Sequence, residues 1–290
     1  MRPTLPRLRR QTRCGGGLWW WRREAGSSPA SPVRNDNLIL ASAVRNDKGE
    51  FVLHRSDLLA NGGWQLTADF MTWVKICGTT NLEDALVAVE AGADAVGFVF
   101  YEKSPRKISV EAAREIVEKL PEGVEKVGVF VNEMEGTLCD VADRIGLTSI
   151  QMHGDNEDPH VADLVVAKRP TLKVLAAISM SQEHPDGWAM MWDPDSIHAF
   201  LVDSGDSSKH GGTGDVFNWR ASVPALDNIK RLGLVVAAGG LTSENVGEAM
   251  GILKPWGVDV VSGVEEKPGK KDPEKVRAFV RAVREAEKLS

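Results

Sequence analysis

Cysteine is scarce in this chain. The three present, Cys14, Cys77 and Cys139, lie far apart with no Cys-x-x-Cys pair. That excludes a disulfide framework and a thiolate zinc site, and it fits a reducing compartment. No apolar run reaches the ~18 residues that a membrane-spanning helix needs. A basic excess is missing as well: the formal net charge is −6, which argues against a general nucleic-acid binder. Neither a nucleic-acid nor a membrane partner is expected.

What is present suffices for a sizeable core. The 290 residues are 42% hydrophobic and 26% charged, ordinary for a soluble protein. Charge divides the chain in two. Residues 1–70 hold 11 basic and 6 acidic side chains, whereas the remainder holds 24 and 35. The first 23 residues carry seven arginines and no acid, together with Gly15-Gly16-Gly17 and Trp19-Trp20-Trp21. An acid-poor, arginine-rich leader reads as an organelle transit peptide or as a membrane-adhering segment. Three consecutive tryptophans and the lack of a helical period speak against the transit peptide. Residues 1–70 are therefore read as an N-terminal extension, disordered or not part of the working protein, ahead of a domain over 71–290. Runs at 37–40 and 51–53 have the character of short strands, with nothing to fix a partner. The expected location is cytoplasmic, with organelle targeting by 1–70 as the alternative.

From residue 73 the pattern alternates. Apolar strands are expected at 73–77, 95–100, 127–131, 149–153, 174–178, 199–203, 234–238 and 258–262. Helical periods follow at 82–91, 110–120, 134–145, 159–167, 182–191, 223–229, from Ser243 to about 253, and at 273–289. Ser109 and Ser243 stand at capping positions, and Gly92 and Gly146 stand at helix ends. Continuous apolar strands are the mark of parallel strands buried on both faces. Eight such units imply an α/β protein, a (β/α)8 TIM barrel. An open doubly wound sheet would instead show a glycine-rich loop after its first strand. Here the glycines gather after the sixth, seventh and eighth.

A barrel presents its chemistry at the C-terminal ends of its strands. Those ends carry Cys77, Arg106 in the second loop, His153, Asp203, Gly239-Gly240 and Ser262-Gly263, with Gly211, Gly212 and Gly214 in the loop after strand six. Glycines let backbone N–H groups approach an anion closely, so three converging glycine loops point to a phosphate. Cys77 is either a small buried hydrophobe or a reactive thiol. Asp203 is either a cap or an acid whose pKa burial raises. It stands on the opposite side of the barrel mouth from Cys77. Arg106 is either a surface charge or a fork for a carboxylate. His153 is an acid/base residue or, the preferred reading, a polar group satisfied by its neighbours. Asp259, inside the eighth strand, is read as structural. Acid and base flanking a phosphorylated ligand suggest proton transfer without a metal.

The stretches Val74-Lys75-Ile76-Cys77-Gly78, Lys103-Ser104-Pro105-Arg106, Gln151-Met152-His153-Gly154, Leu201-Val202-Asp203, Gly211-Gly212-Thr213-Gly214, Ala238-Gly239-Gly240-Leu241 and Ser262-Gly263-Val264-Glu265 occur in this order. Together they resemble the N-(5′-phosphoribosyl)anthranilate isomerases of tryptophan biosynthesis over about residues 72–288. The resemblance implies an Amadori rearrangement of a phosphorylated sugar–anthranilate substrate, with Cys77 as general base and Asp203 as general acid. It further implies that Arg106 faces the anthranilate part, that no metal or cofactor takes part, and that the protein is a monomer or homodimer. A thiol of ordinary pKa is mostly protonated at neutral pH. The site is therefore expected to lower that of Cys77, through Lys75 or the next helix N-terminus. Other phosphate-binding barrels, such as a histidine-pathway sugar isomerase or indole-glycerol-phosphate synthase, remain alternatives. So does a barrel that has lost catalysis and serves as a scaffold.

Overall fold

The computed structural model describes residues 71–154, 158–205 and 216–289, and four three-residue strands ahead of them. The chain divides into two compact units, Met1–Phe70 and Met71–Ser290. In the first unit Arg9–Gln11 pairs antiparallel with Trp20–Arg22, and Ala43–Arg45 with Phe51–Leu53. The 51–53 run thus has a partner. The 37–40 run, like the rest of 1–70, lies outside the described residues.

In the second unit eight parallel strands close into a barrel. They are β1 (Trp73–Ile76), β2 (Ala95–Val99), β3 (Glu125–Phe130), β4 (Ser149–Met152), β5 (Lys173–Ser179), β6 (Ala199–Asp203), β7 (Leu234–Ala237) and β8 (Gly257–Val260). The helices are α1 (Leu82–Glu90), α2 (Val110–Val117), α3 (Glu135–Ile145), α4 (Pro159–Lys168), α5 (Pro185–Ala189), α6 (Trp219–Ile229), α7 (Val246–Leu253) and α8 (Pro273–Glu287). This is the expected TIM barrel.

Strand alternation sorts the side chains into two layers. Val74, Ile76, Val96, Phe98, Ile150, Phe200, Val202 and Val258 point outward and pack with the helices in one continuous core. Each such aliphatic burial stabilises by roughly 1.5–3 kcal/mol. Trp73, Ala95, Val127, Leu175, Leu201, Val236 and Trp256 form a second cluster, the filling of the barrel itself. At its lower end Trp73 stacks on Trp256 with ring centroids 5.3 Å apart. The upper end carries polar groups instead, and that asymmetry locates the site.

Helix starts follow side-chain capping. The Asn81 carboxamide accepts the Asp84 N–H at 2.9 Å, and Ser109 caps α2. Several boundaries differ from expectation, three of them for a nameable local reason. The α5 helix is confined to Pro185–Ala189, since Pro185 sets its first turn. The α6 helix begins four residues early because Asn218 caps it, and it tolerates Pro224 within its first turns. Ser243 does not cap α7; its hydroxyl bonds the adjacent Glu244, and the helix begins only at Val246.

Candidate active site

Three consecutive inward positions define the β1 side of the barrel mouth: Trp73 at the bottom, then Lys75, then Cys77. Lys75 is wholly buried, an expensive place for an ammonium unless it is paired. Its Nζ donates to Asp259 Oδ1 at 3.0 Å and to Gln151 Oε1 at 2.9 Å. Asp259 is its register partner on β8. Burial alone pushes the Lys75 pKa down, but Asp259 and then Cys77 outweigh it, so the amine is held charged. The structural reading of Asp259 is correct as far as it goes: it anchors a buried cation.

Cys77 lies just beyond β1 and is 4% exposed. A Cβ on Gly97 of β2 would lie 2.6 Å from its Sγ and 3.0 Å from Lys75 Cε. The missing side chain is what makes room for the thiol, and it brings sulfur and lysine stem together at one point. Burial pushes the Cys77 thiol up; Lys75 pulls it back, Asp259 pushes it further up, and the net direction is upward. This corrects the expectation of a lowered thiol pKa. Desolvation was the effect left out, and in the free site it exceeds the attraction of Lys75.

A second buried charge group closes the mouth above β1. Arg106 is 8% exposed and forks a carboxylate, but an internal one. Its Nε and Nη2 donate to Glu265, the closest contact being 2.8 Å. Glu265 Oε1 also accepts from Lys271 Nζ at 3.2 Å, and that Nζ donates to the Cys77 carbonyl at 2.5 Å. Glu265 and Lys271 sit on a short hairpin, Glu265–Lys267 against Lys270–Lys271, that follows β8. The hairpin also bonds the first loop, since Thr80 donates to the Gly269 carbonyl. It therefore straps the loops that bear Cys77 and Arg106.

Asp203 ends β6, three strand positions from β1 around the ring rather than diametrically opposed. It is 9% exposed. The Gly205 N–H donates to its Oδ1 at 2.7 Å. Burial raises its pKa; the nearby His153 and the Gly205 N–H pull it down, Asp259 pushes it up, and the net direction is upward. His153 follows β4, where its backbone N–H donates to the Phe130 carbonyl at 2.9 Å. It is the histidine whose charge Asp203 feels, a relationship that sequence reading did not supply.

The late glycines converge in part. Gly239 and Gly240 both have positive φ, at 80° and 64°, a conformation that favours glycine. A Cβ on Gly239 would lie 2.5 Å from the Ser204 N at the end of β6. Ser262 and Gly263 form a tight turn after β8, and a Cβ on Gly263 would lie 2.0 Å from the Leu241 carbonyl. The loops after β6, β7 and β8 are thus in contact through bare backbone. Gly211, Gly212 and Gly214 lie outside the described residues.

Sequence reading missed Gln151, Glu265, Lys271 and Gly97 as parts of the site. A signal existed for some of them. Lys75 and Cys77 are two apart on one strand, hence on one face, and Gln151 and His153 stand in the same relation. Charged or amide side chains on the inward face of a closed barrel must find one another.

Comparison with known proteins places the barrel in a family. The family described as N-(5′phosphoribosyl)anthranilate (PRA) isomerase matches residues 74–282. An N-(5′-phosphoribosyl)anthranilate isomerase of Geobacter sp. (strain M21) is 47% identical over 220 residues, 76% of this chain and 100% of that one. The crystal structure of phosphoribosyl anthranilate isomerase from Thermotoga maritima superposes with a TM-score of 0.67 at 42% identity, covering 74% of this chain and all of that one. A phosphoribosyl anthranilate isomerase in complex with reduced 1-(o-carboxyphenylamino)-1-deoxyribulose 5-phosphate gives 0.64 at 40% identity, with the same coverage. On these matches the chain belongs to the N-(5′-phosphoribosyl)anthranilate isomerase family.

Proposed function

We propose that this chain converts N-(5-phosphoribosyl)anthranilate to 1-(2-carboxyphenylamino)-1-deoxyribulose 5-phosphate by general acid and base catalysis, Asp203 being the acid and Cys77 the base. The family's step belongs to tryptophan biosynthesis. The observation that carries the assignment is the pairing of two buried titratable groups at the ends of β1 and β6. Burial holds the Asp203 carboxyl up, toward the neutral form that an acid must have.

Asp203 gives its proton to the furanose ring oxygen, and the C1′–O bond breaks to leave a Schiff base. The Cys77 thiolate removes the proton from C2′, and the electron pair moves toward the iminium nitrogen to give an enolamine. Protonation at C1′ and loss of the O2′ proton then give the ketose. Gly239, Gly240, Ser262 and Gly263 offer backbone to the phosphate, and Gly211, Gly212 and Gly214 join them in this reading. Arg106 addresses the anthranilate carboxylate with Nη1, the nitrogen that Glu265 leaves unused among the described residues. His153 lines the mouth beside Asp203. The protein works on residues 71–290 as a monomer or homodimer in the cytoplasm. No helix among the described residues is long and apolar enough to cross a membrane.

Turnover of freshly made aminoaldose, followed by loss of anthranilate fluorescence, tests the assignment. A full-length protein that leaves the fluorescence unchanged overturns it. A histidine-pathway sugar isomerase or a non-catalytic scaffold would give that result.

A further inference from the structure

Cys77 sits beside two buried ion-pair groups, Lys75 with Asp259, and Lys271 with Glu265 and Arg106. Each member is below a tenth exposed, so bulk water screens it little. Burial pushes the Lys271 amine below its ordinary pKa, whereas that of Lys75 is held up. Of the cations, Arg106 is committed to Glu265, and Lys271 points to the backbone carbonyls of Cys77 and Val261 as well as to Glu265. Lys75 is different. Two fixed acceptors, Asp259 Oδ1 and Gln151 Oε1, hold its Nζ, and its Cε and the Cys77 Sγ close on the same point above Gly97.

We propose that Lys75 is a positioning residue of the reaction, the counter-ion that lets Cys77 ionise in a buried site, and that Asp259 both holds Lys75 in place and opposes the ionisation with its own charge. The inference rests on Cys77 being the base. The charged groups that face Cys77 are Lys75 on β1, Asp259 on β8 and Lys271 on the hairpin after β8. Those that face Lys75 are Asp259 and Cys77. Asp259 also reaches Asp203. The pair therefore makes opposite contributions to one thiol. Lys75 lowers the Cys77 pKa and Asp259 raises it, whereas a purely structural ion pair would affect the thiol through folding alone.

The test is titration of the Cys77 thiolate by its ultraviolet absorbance, taking the full chain minus its Cys77→Ser variant, so that no catalysis is needed. Lys75→Met is expected to move the transition to higher pH by about 1 unit or more, the size of a close charge effect. Asp259→Asn is expected to move it to lower pH. With Lys75→Met the thiolate fraction at neutral pH, and with it kcat/KM, falls about tenfold per unit, with KM little changed. If Lys75→Met alone fails to fold, Lys75→Met in the Asp259→Asn background removes the unpaired carboxylate, and its transition must lie above that of Asp259→Asn. An unmoved transition, or shifts of the same sign in the two single variants, overturns the proposal. Retained activity in Cys77→Ser overturns instead the assignment of the base. The absorbance titration is unaffected by that outcome, so the two failures are distinguishable.

Discussion

Arg106 Nη2 and Glu265 Oε2 stand 2.8 Å apart and 159 residues apart in sequence, buried where the loops after β2 and β8 meet. The pair joins the loop expected to read the substrate carboxylate to the hairpin whose Lys271 holds the Cys77 carbonyl. Glu265 is thus the shared partner of two cations, and the consequences of changing it follow from electrostatics.

Burial pushes the Glu265 carboxyl up, but Arg106 and Lys271 outweigh it and hold it below the ordinary carboxylate range. The folded pKa is depressed, so the stabilisation is fully present above the unfolded value and is lost as pH falls through the folded one. Glu265→Gln leaves two buried cations without their anion and should cost about 3–5 kcal/mol near neutral pH. Urea unfolding at a series of pH values checks both parts. The gap between variant and parent should narrow as pH drops below the carboxylate range. A gap that widens toward acid contradicts the sign.

Cys77→Ser and Asp203→Asn address the proposed chemistry. Both keep side-chain size and a hydrogen-bonding group, so binding should survive. An acid or base acting in the transition state contributes about 10²- to 10⁴-fold, and losses of that order are expected in kcat with KM within a few-fold. Steady-state fluorescence assays on each variant decide the matter. If kcat is retained in either one, that residue has no part in the proton transfers.

The barrel was legible because its strands are continuous apolar runs and its helices carry capping residues at the right distance. Where a cap was misassigned, as at Ser243, or not recognised, as at Asn218, the boundaries moved. The strand-end rule sufficed to nominate Cys77 and Asp203. The partners of Cys77 were harder to see, since Asp259 lies 184 residues from Lys75 and Lys271 lies 194 from Cys77. Only closure of the ring, which pairs β8 with β1, makes them neighbours. The direction of the thiol pKa shift was missed for a related reason. The lysine is visible two residues away, whereas the desolvation opposing it depends on the whole barrel.

Gly97 illustrates a role that no motif advertises. Its missing Cβ is the space that Cys77 Sγ and Lys75 Cε occupy. Gly97→Ala must push one of them aside, and overpacking of this kind costs about 1–3 kcal/mol. The protein is expected to fold, with a lowered melting temperature, and to lose kcat far more than stability alone would suggest, because the thiol moves away from the position proposed for the base. Circular dichroism separates the two effects from activity. Full activity in a folded Gly97→Ala protein would show that the position of the sulfur tolerates such a shift.

The last prediction concerns residues 71–290 alone. Every residue named in the site lies in the unit Met71–Ser290, and that unit has both of its own cores, the barrel filling and the layer beneath the helices. The family match begins at residue 74, and relatives are covered along 97–100% of their length by about three-quarters of this chain. The described residues of the hydrophobic layers, the strapped mouth and the Lys75–Asp259 pair all lie within 71–290. A protein of residues 71–290 should therefore unfold in one cooperative transition and restore growth to a tryptophan auxotroph lacking this isomerase. Its kcat/KM should equal that of the full chain within the error of the assay. Failure to grow despite a folded barrel would assign residues 1–70 a part in the reaction; success would place the whole machinery, from Trp73 to α8, in the barrel.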